Sequence, residues 1–210
     1  TECFKNKYKD HSQLAECIKV SDLSQPWRPV FDAIADFEKH ISFDTGSFVF
    51  HRTWGVGRIA SIKDDDLVID FAKKRGHSMS LKMGITALQT LDREHIWVLK
   101  STVSKEILTK KIKSDPEWAL KTIIKSFDNN CDMKRIKQEL VPSLLTAGEW
   151  TSWNTKARKV LKENPMFGIN PDNIDFYSVR ERPIAAEEKL SNEFKAQKQF
   201  FMRIDILMKF

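Results

Sequence analysis

The sequence is short of cysteine and of long apolar runs, and both shortages narrow the class of protein. Its 210 residues contain three cysteines, Cys3, Cys17 and Cys131, which lie far apart. An odd number of cysteines without a pairing pattern argues against a disulfide framework and favours reduced thiols in a cytosolic protein. No window approaches the roughly 18 apolar residues of a membrane-spanning helix. We therefore predict a soluble, cytoplasmic protein without a membrane partner.

A methionine start and a signal peptide are missing as well. The chain begins Thr-Glu-Cys-Phe-Lys, and at the other end it stops at Phe210, inside a helical pattern. We expect the sequence to be a fragment of a longer protein.

Short motifs for catalysis and for metal binding are also missing. The histidines form no His-Glu-x-x-His pair, and the sequence has no Cys-x-x-Cys and no Gly-x-Ser-x-Gly. We therefore predict no enzyme activity, catalytic residue, metal, cofactor or small-molecule substrate. His51 and His95 are predicted to lie at strand ends and to make backbone hydrogen bonds. The run Asp64, Asp65 and Asp66 is predicted to be the charged tip of a β-hairpin rather than a metal site.

The composition is that of an ordinary globular protein with a mild excess of positive charge. Hydrophobic residues make up 41% of the chain and charged residues 30%, which argues against disorder. The formal net charge is +6. A charge of this size permits a polyanionic partner but does not require one.

The hydrophobic pattern changes twice along the chain and predicts an α+β fold in three parts. Residues 1–45 are helical, with a stripe at Val30, Ile34, Phe37 and Ile41, and are compatible with the end of a helical repeat array. Residues 46–100 alternate with a period of two, which predicts a closed five-strand β-barrel of the SH3/Tudor-like kind. The expected strands include residues 48–51, 67–71, 79–83 and 96–99.

The remaining part, residues 101–210, is predicted to be a helical domain. Asp115 and Pro116 form a strong helix start, and Pro142 forces a kink or a break in a later helix. Thr151 is expected to cap the helix that follows. Residues 164–183 are expected to be extended, and residues 184–209 to form one long amphipathic helix.

Residues 55–60, Gly-Val-Gly-Arg-Ile-Ala, match the dinucleotide-binding fingerprint, with Asp70 downstream. That fingerprint requires a full helix after the glycines to hold the pyrophosphate. The distance from Gly57 to the Asp64 turn is too short for such a helix. We therefore interpret Gly55 and Gly57 as positions that allow a sharp turn or bulge between two strands.

Two loops of the predicted barrel are candidate binding surfaces. Lys73, Lys74 and Arg75 form a basic loop near Arg52 and Trp54. A basic loop beside an exposed aromatic suits nucleic acid or an acidic protein patch, whereas an ordinary lysine-rich hairpin explains the same residues equally well. Trp54 is either a packed anchor or a recognition residue, and its place in a glycine-flanked turn favours recognition.

Residues 48–59 resemble the opening strands of the Tudor-like RNA-polymerase-interacting domains of the CarD and transcription-repair coupling factor family. A longer similarity, to the N-terminal extension of long GreA-type transcription elongation factors, covers about residues 30–185. It is carried by residues 37–57, 76–79, 86–89, 94–99, 149–154, 157–158, 161–162 and 177–183. In that family a separate Gre unit carries an acidic-tipped coiled coil that holds Mg²⁺ and drives transcript cleavage. We find no such hairpin here, so no catalytic residue is transferred to this chain.

This resemblance implies a docking module whose partner is bacterial RNA polymerase. The hypothetical contact lies at residues 51–57, through strand addition or an aromatic anchor, and involves His51, Arg52, Trp54, Gly55 and Gly57. An alternative hypothesis is direct binding of DNA or RNA through Lys73, Lys74 and Arg75. A third is a structural spacer without a ligand.

Overall fold

A computed structural model describes residues 2–11, 13–63, 66–170, 173–183 and 186–209, and in it the chain divides between Arg93 and Glu94 into two units. Each unit contains helices and an antiparallel sheet. The predicted α+β class is therefore confirmed. Among the described residues, no helix is long and apolar enough to cross a membrane.

The first unit begins with short helices that pack around Phe37. They are α1 (Glu2–Lys7), α2 (Leu14–Val20) and α3 (Val30–Ile41). The Phe37 side chain is fully buried, and its ring centroid lies 4.9 Å from Phe4 and 5.8 Å from Tyr8. The predicted helical stripe is thus confirmed in its second half, whereas Val30 at its start is exposed.

A five-stranded antiparallel sheet follows, in the order β4-β3-β2-β1-β5. Its elements are β1 (Phe48–His51), β2 (Gly55–Lys63), β3 (Asp66–Phe71), β4 (Lys74–Ser80), α4 (Leu81–Ala87) and β5 (Leu88–Leu91). Alternate side chains point into one core, as the period of two predicts. The buried members of this core are Phe43, Val49, Ile59, Leu67, Ile69, Phe71, Met79 and Leu88.

The prediction of a closed barrel is wrong in two respects, the closure of the sheet and the identity of its last strand. Among the described residues, β4 and β5 form the two edges of the sheet and no pairing joins them. The sheet ends with β5, which the pattern did not indicate. Residues 79–83 do not form one strand, because the Ser80 hydroxyl accepts a hydrogen bond from the backbone N–H of Met83 at 3.3 Å and starts α4 there.

Residues 96–99, predicted as the last strand, instead begin helix α5 (Ile96–Thr102) of the second unit. His95 caps this helix, because its Nδ1 accepts a hydrogen bond from the Trp97 backbone N–H at 3.1 Å. A short apolar run has no period that separates a strand from a helix. The predicted strand-end role of His95 is therefore wrong, whereas His51 does end β1.

The second unit combines helices with a three-stranded sheet in the order β6-β8-β7. After α5 come α6 (Lys105–Ser114), α7 (Pro116–Ser126), β6 (Cys131–Asp132), α8 (Met133–Leu140), α9 (Ala147–Glu163), β7 (Phe167–Asn170), β8 (Asn173–Val179), α10 (Ala186–Ala196) and α11 (Phe200–Leu207). The predicted extended stretch is the β7–β8 hairpin. In place of the predicted single C-terminal helix the structure has two helices, α10 and α11. Residue 184, where the predicted helix was expected to begin, lies outside the described residues.

Helix caps set several of these boundaries. Asp115 accepts from the Trp118 N–H at 3.0 Å and Pro116 is the first residue of α7, as predicted. Helix α8 ends before Pro142, which confirms the predicted break. Thr146, not Thr151, caps α9, because Thr146 and Glu149 form a reciprocal capping box.

The core of the second unit contains one buried carboxylate with several partners. Glu139 is 7% exposed. Its Oε2 accepts from Lys100 Nζ at 2.8 Å and from Trp97 Nε1 at 3.1 Å, and its Oε1 lies 3.1 Å from Arg135 Nη2. These partners offset the cost of burying the charge. The cluster therefore holds α5 and α8 in a fixed register.

The prediction from this fold concerns Gly57 of β2, whose backbone lies under the Phe71 ring. An added Cβ would lie 2.5 Å from Phe71 Cδ1 and 2.8 Å from Ile69 Cγ2. Both side chains belong to the buried core, so Gly57→Ala is expected to destabilise the sheet by about 1–3 kcal/mol. Urea unfolding followed by circular dichroism measures this difference.

The matched control is Gly148→Ala in α9, where an added Cβ meets nothing within 4 Å. Alanine favours a helix over glycine by up to about 1 kcal/mol. The control is thus expected to leave stability unchanged or to raise it. Equal stability of Gly57→Ala and the native chain would contradict the close packing described here.

Candidate binding surface

An aromatic cluster joins the β1–β2 turn to the β3–β4 turn at one end of the five-stranded sheet. The Trp54 ring stacks on His51, with centroids 4.2 Å apart and planes inclined by 22°. Its other neighbours are His77, at 4.1 Å, and the buried Phe71, at 5.4 Å. We call residues 51–55 and 73–77 together the two-turn surface.

Local backbone requirements explain why the chain turns at these places. Gly55 and Gly76 have φ angles of +73° and +62°, which side chains with a Cβ adopt at a cost. His51 Nδ1 accepts from the Thr53 N–H at 3.1 Å. Asp70 Oδ1 accepts from the Gly76 N–H at 2.8 Å. Each turn is therefore closed by a side chain from the strand that precedes it.

The two turns together carry four cations, Arg52, Lys73, Lys74 and Arg75, and all four side chains are exposed. The Lys74 ammonium lies 4.9 Å from the centroid of the Trp54 ring, which is a cation–π distance. The sequence separates these cations by about twenty residues, and the sheet brings them to one end.

His77 is half-buried within this cluster. Burial lowers the pKa of His77 from its ordinary value, and the positive charge of Lys74 and the neighbouring His51 lower it further. The neutral imidazole is therefore favoured in the folded protein. The stability that neutral His77 contributes to the folded protein is present above the ordinary histidine pKa. It is lost as the pH falls through the lowered pKa of His77.

The predicted site residues divide into surface groups and supporting groups. Arg52 is exposed, whereas Trp54 is half-buried against the core and so is not the exposed aromatic that the turn sequence indicated. Gly57 is buried beneath Phe71, where it shapes the surface without forming part of it. His77 was not among the predicted site residues, although strand pairing brings it against the Trp54 indole.

The other chemical candidates of the sequence lie apart from this surface. The predicted acidic hairpin tip falls largely outside the described residues, because Asp64 and Asp65 are not among them. Residues 55–63 form a strand, so the helix that the dinucleotide fingerprint requires does not follow the glycines. The turn interpretation is confirmed for Gly55, which has a positive φ, and is wrong for Gly57, which pairs with Val49 in regular register inside β2. In the part of the chain that the structure describes, no cluster of His, Cys, Asp and Glu could hold a metal.

The buried thiols are poor nucleophiles at neutral pH. Burial raises the pKa of Cys17 to about 11 and that of Cys131 to about 12. Since the thiolate is the reactive form, neither position suits nucleophilic catalysis.

Comparison with known proteins finds similar sequences. Residues 97–184 match the family described as the GRAD helix-turn-helix domain. The whole chain is 68% identical, over 209 residues, to a GreA-associated domains protein of Treponema pallidum. The chain is thus similar to a GreA-associated segment of longer proteins. The predicted resemblance to the extension of long GreA-type factors is thereby confirmed.

Further relatives of this chain carry the name transcription elongation factor GreA. One, from Borreliella burgdorferi, is 40% identical over 98% of the chain, and another, from Chlamydia pneumoniae, is 23% identical over 82%. The chain spans 32%, 23% and 24% of the length of these three relatives. No solved structure matches it.

The prediction from the two-turn surface concerns the titration of His77. Lys74→Met removes a positive charge that disfavours the imidazolium, so the pKa of His77 is expected to rise towards its ordinary value while staying below it, because burial remains. An NMR titration of the histidine ring signals measures the change. Lys73→Met is the matched control, and an identical His77 pKa in the native protein and in Lys74→Met would refute the arrangement.

Proposed function

We propose that this GreA-associated segment is a non-catalytic accessory module of a transcription elongation factor that docks on bacterial RNA polymerase. In this proposal the module supports transcript cleavage and the rescue of arrested elongation by a Gre unit outside this chain. The names of the relatives support a role in transcription elongation. The two-turn surface supplies the contact.

The observation that carries the proposal is the packing of Trp54 between His51 and His77, at centroid distances of 4.2 and 4.1 Å. This packing fixes both turns relative to the sheet before any partner binds. A prearranged surface loses little conformational entropy on binding. Arg52 then projects from an ordered turn, and exposed arginines on rigid supports are frequent energetic centres of protein interfaces.

A second element of the contact is strand addition at the sheet edge. β4 and β5 are the edge strands, and an edge offers backbone donors and acceptors to an extended partner segment. β4 adjoins the two-turn surface through Lys74 and Arg75. We propose an SH3/Tudor-like module on the basis of this strand order and of the resemblance of residues 48–59.

The alternative function is direct nucleic-acid binding by the two-turn surface. It is favoured by the four exposed cations, of which Lys73, Lys74 and Arg75 lie on one turn. The half-buried Trp54, already covered by Lys74, presents little free ring for stacking on a base. This observation makes polymerase docking the better supported of the two.

The prediction from the docking proposal is that Arg52→Glu weakens binding of the chain to purified bacterial RNA polymerase. Loss of a central arginine and the opposite charge in its place are expected to raise the dissociation constant at least about tenfold. Biolayer interferometry with immobilised polymerase measures the constant. Lys82→Glu, which changes an exposed cation on α4 outside the two-turn surface, is expected to bind as the native chain does.

Two results separate the hypotheses. An unchanged affinity of Arg52→Glu, or no binding of the native chain at micromolar concentration, would overturn the docking proposal. The alternative would be favoured if the chain bound naked single-stranded nucleic acid and this binding fell steeply with salt. The double variant Lys73→Gln with Arg75→Gln would then remove the binding.

A further inference from the structure

The second unit carries a groove that the docking proposal does not use. Helix α6 forms one wall, and the turn between α8 and α9, residues 141–146, forms the other. The groove has a volume of about 790 Å³, which lies within the range of clefts that hold ligands. We call it the α6 groove.

Contacts between the two walls give the α6 groove a fixed width. The Thr109 hydroxyl of α6 donates to the Leu144 carbonyl of the turn at 3.3 Å. Lys113 Nζ lies 2.5 Å from Glu149 Oε1, in the first turn of α9. Leu144 and Leu145 are anchored in the buried core of the unit. Because the walls are already held in place, a ligand binds here with little loss of conformational entropy.

One side of α6 faces the groove and carries its positive charge. Residues 105, 106, 109, 110, 113 and 114 line it, and spacings of three and four residues place them on the same side of the helix. Among them are three exposed lysines, Lys105, Lys110 and Lys113, which extend over about 12 Å of the helix axis. The turn residues 141–146, Val-Pro-Ser-Leu-Leu-Thr, contain no charged side chain, so the positive charge lies on one wall only.

Two carboxylates line the groove and neutralise part of this charge. The hydrogen bond from Lys113, with further donors at the start of α9, lowers the pKa of Glu149 to about 2, so Lys113 and Glu149 form an ionised pair at neutral pH. Lys105, Lys110 and Glu106 form no ion pair with any other described residue. Two unpaired lysines and one unpaired glutamate leave an excess of positive charge for an anionic ligand.

We propose that the α6 groove binds an extended segment of a partner protein in which carboxylates alternate with apolar side chains. Successive side chains of an extended chain point in opposite directions, and every second one recurs at about 7 Å. Lys105 and Lys110 are separated by about 7.5 Å along the axis of α6, so two alternate carboxylates can meet these two ammonium groups. The intervening apolar side chains then point to the opposite wall, which is lined by Pro142, Leu144 and Leu145.

The one-sided charge of the groove disfavours a nucleic acid as its ligand. A polynucleotide carries a phosphate on every nucleotide, and its bases stack on aromatic side chains. No aromatic side chain is among the described residues that line the groove, and the side chains of Pro142 and Leu144 offer nothing to a phosphate. An acidic, partly apolar peptide therefore matches both walls, whereas a nucleic acid matches only α6.

This contact is independent of the docking proposal. The two-turn surface belongs to residues Thr1–Arg93, and the α6 groove belongs to residues Glu94–Phe210. A chain that fails to bind polymerase can still bind an acidic peptide, and a chain that fails to bind the peptide can still bind polymerase. Failure of one proposal is thus distinguishable from failure of the other.

The test measures binding of the 210-residue chain to a fluorescein-labelled peptide, Glu-Leu-Glu-Leu-Glu-Leu-Glu, by fluorescence anisotropy. The native chain is expected to bind it with a dissociation constant of about 100 µM or lower. Lys105→Glu combined with Lys110→Glu is expected to raise this constant at least about tenfold, because like charges then oppose each other. Both side chains are exposed, so the thermal unfolding midpoint is expected to stay unchanged.

The matched control makes the same charge change on α8, by Lys134→Glu combined with Lys137→Glu. Both lysines are exposed and lie outside the groove, so this variant is expected to bind the peptide as the native chain does. A peptide with serine in place of each leucine is expected to bind the native chain at least about fivefold more weakly, because it loses the apolar contact with the turn.

The proposal would be overturned by the absence of peptide binding at about 1 mM, by equal losses of affinity in the two double variants, or by equal affinities for the leucine and serine peptides. Displacement of the labelled peptide by an equal concentration of an oligothymidine of about ten nucleotides would overturn it as well, because the groove would then be a general polyanion site.

Discussion

The close contact between Gly57 and the Phe71 ring is the constraint on which the first unit depends. A Cβ at residue 57 would lie 2.5 Å from that ring, so only glycine lets β2 and β3 approach as they do. Phe71 in turn supports Trp54, with ring centroids 5.4 Å apart. Through these successive contacts a backbone feature of one strand fixes the position of two surface turns.

This constraint explains why the exposed cations form one surface. Arg52 belongs to one turn, and Lys73, Lys74 and Arg75 belong to the other. Without the packing of Trp54 against both turns, these charges would sit on two independent loops. Lys74 above the indole adds a cation–π contact of about 0.5–1 kcal/mol at an exposed site, and the same charge helps to keep His77 neutral.

Much of the first unit could be predicted from the sequence. The alternation of apolar and polar side chains across residues 48–71 follows from the two-residue period of a β-strand. The interpretation of Gly55 as a turn residue succeeded because a crossover helix has no room in that stretch, whereas Gly57 lies inside β2 and is required there by the Phe71 ring. The prediction failed at residues 96–99, where four apolar residues fit either structure and the cap at His95 decided the outcome. The half-burial of Trp54 also escaped prediction, because it depends on His77, a residue brought near only by strand pairing.

Prediction of the second unit from its sequence was limited in the same way, because its structure depends on contacts between distant residues. Helix α9 begins at the capping box of Thr146 and Glu149 rather than at the predicted cap Thr151. The three-stranded sheet requires the pairing of β6 with β8, which lie far apart in the sequence, so the residues near each strand do not reveal it.

Hydrogen–deuterium exchange of the chain with and without RNA polymerase tests the central claim most directly, because it reports each turn separately. The account predicts that the backbone amides of both turns, residues 51–55 and 73–77, gain protection together when polymerase is added. Protection of one turn alone, or of neither while polymerase is bound, would contradict a single surface fixed by the Trp54 cluster.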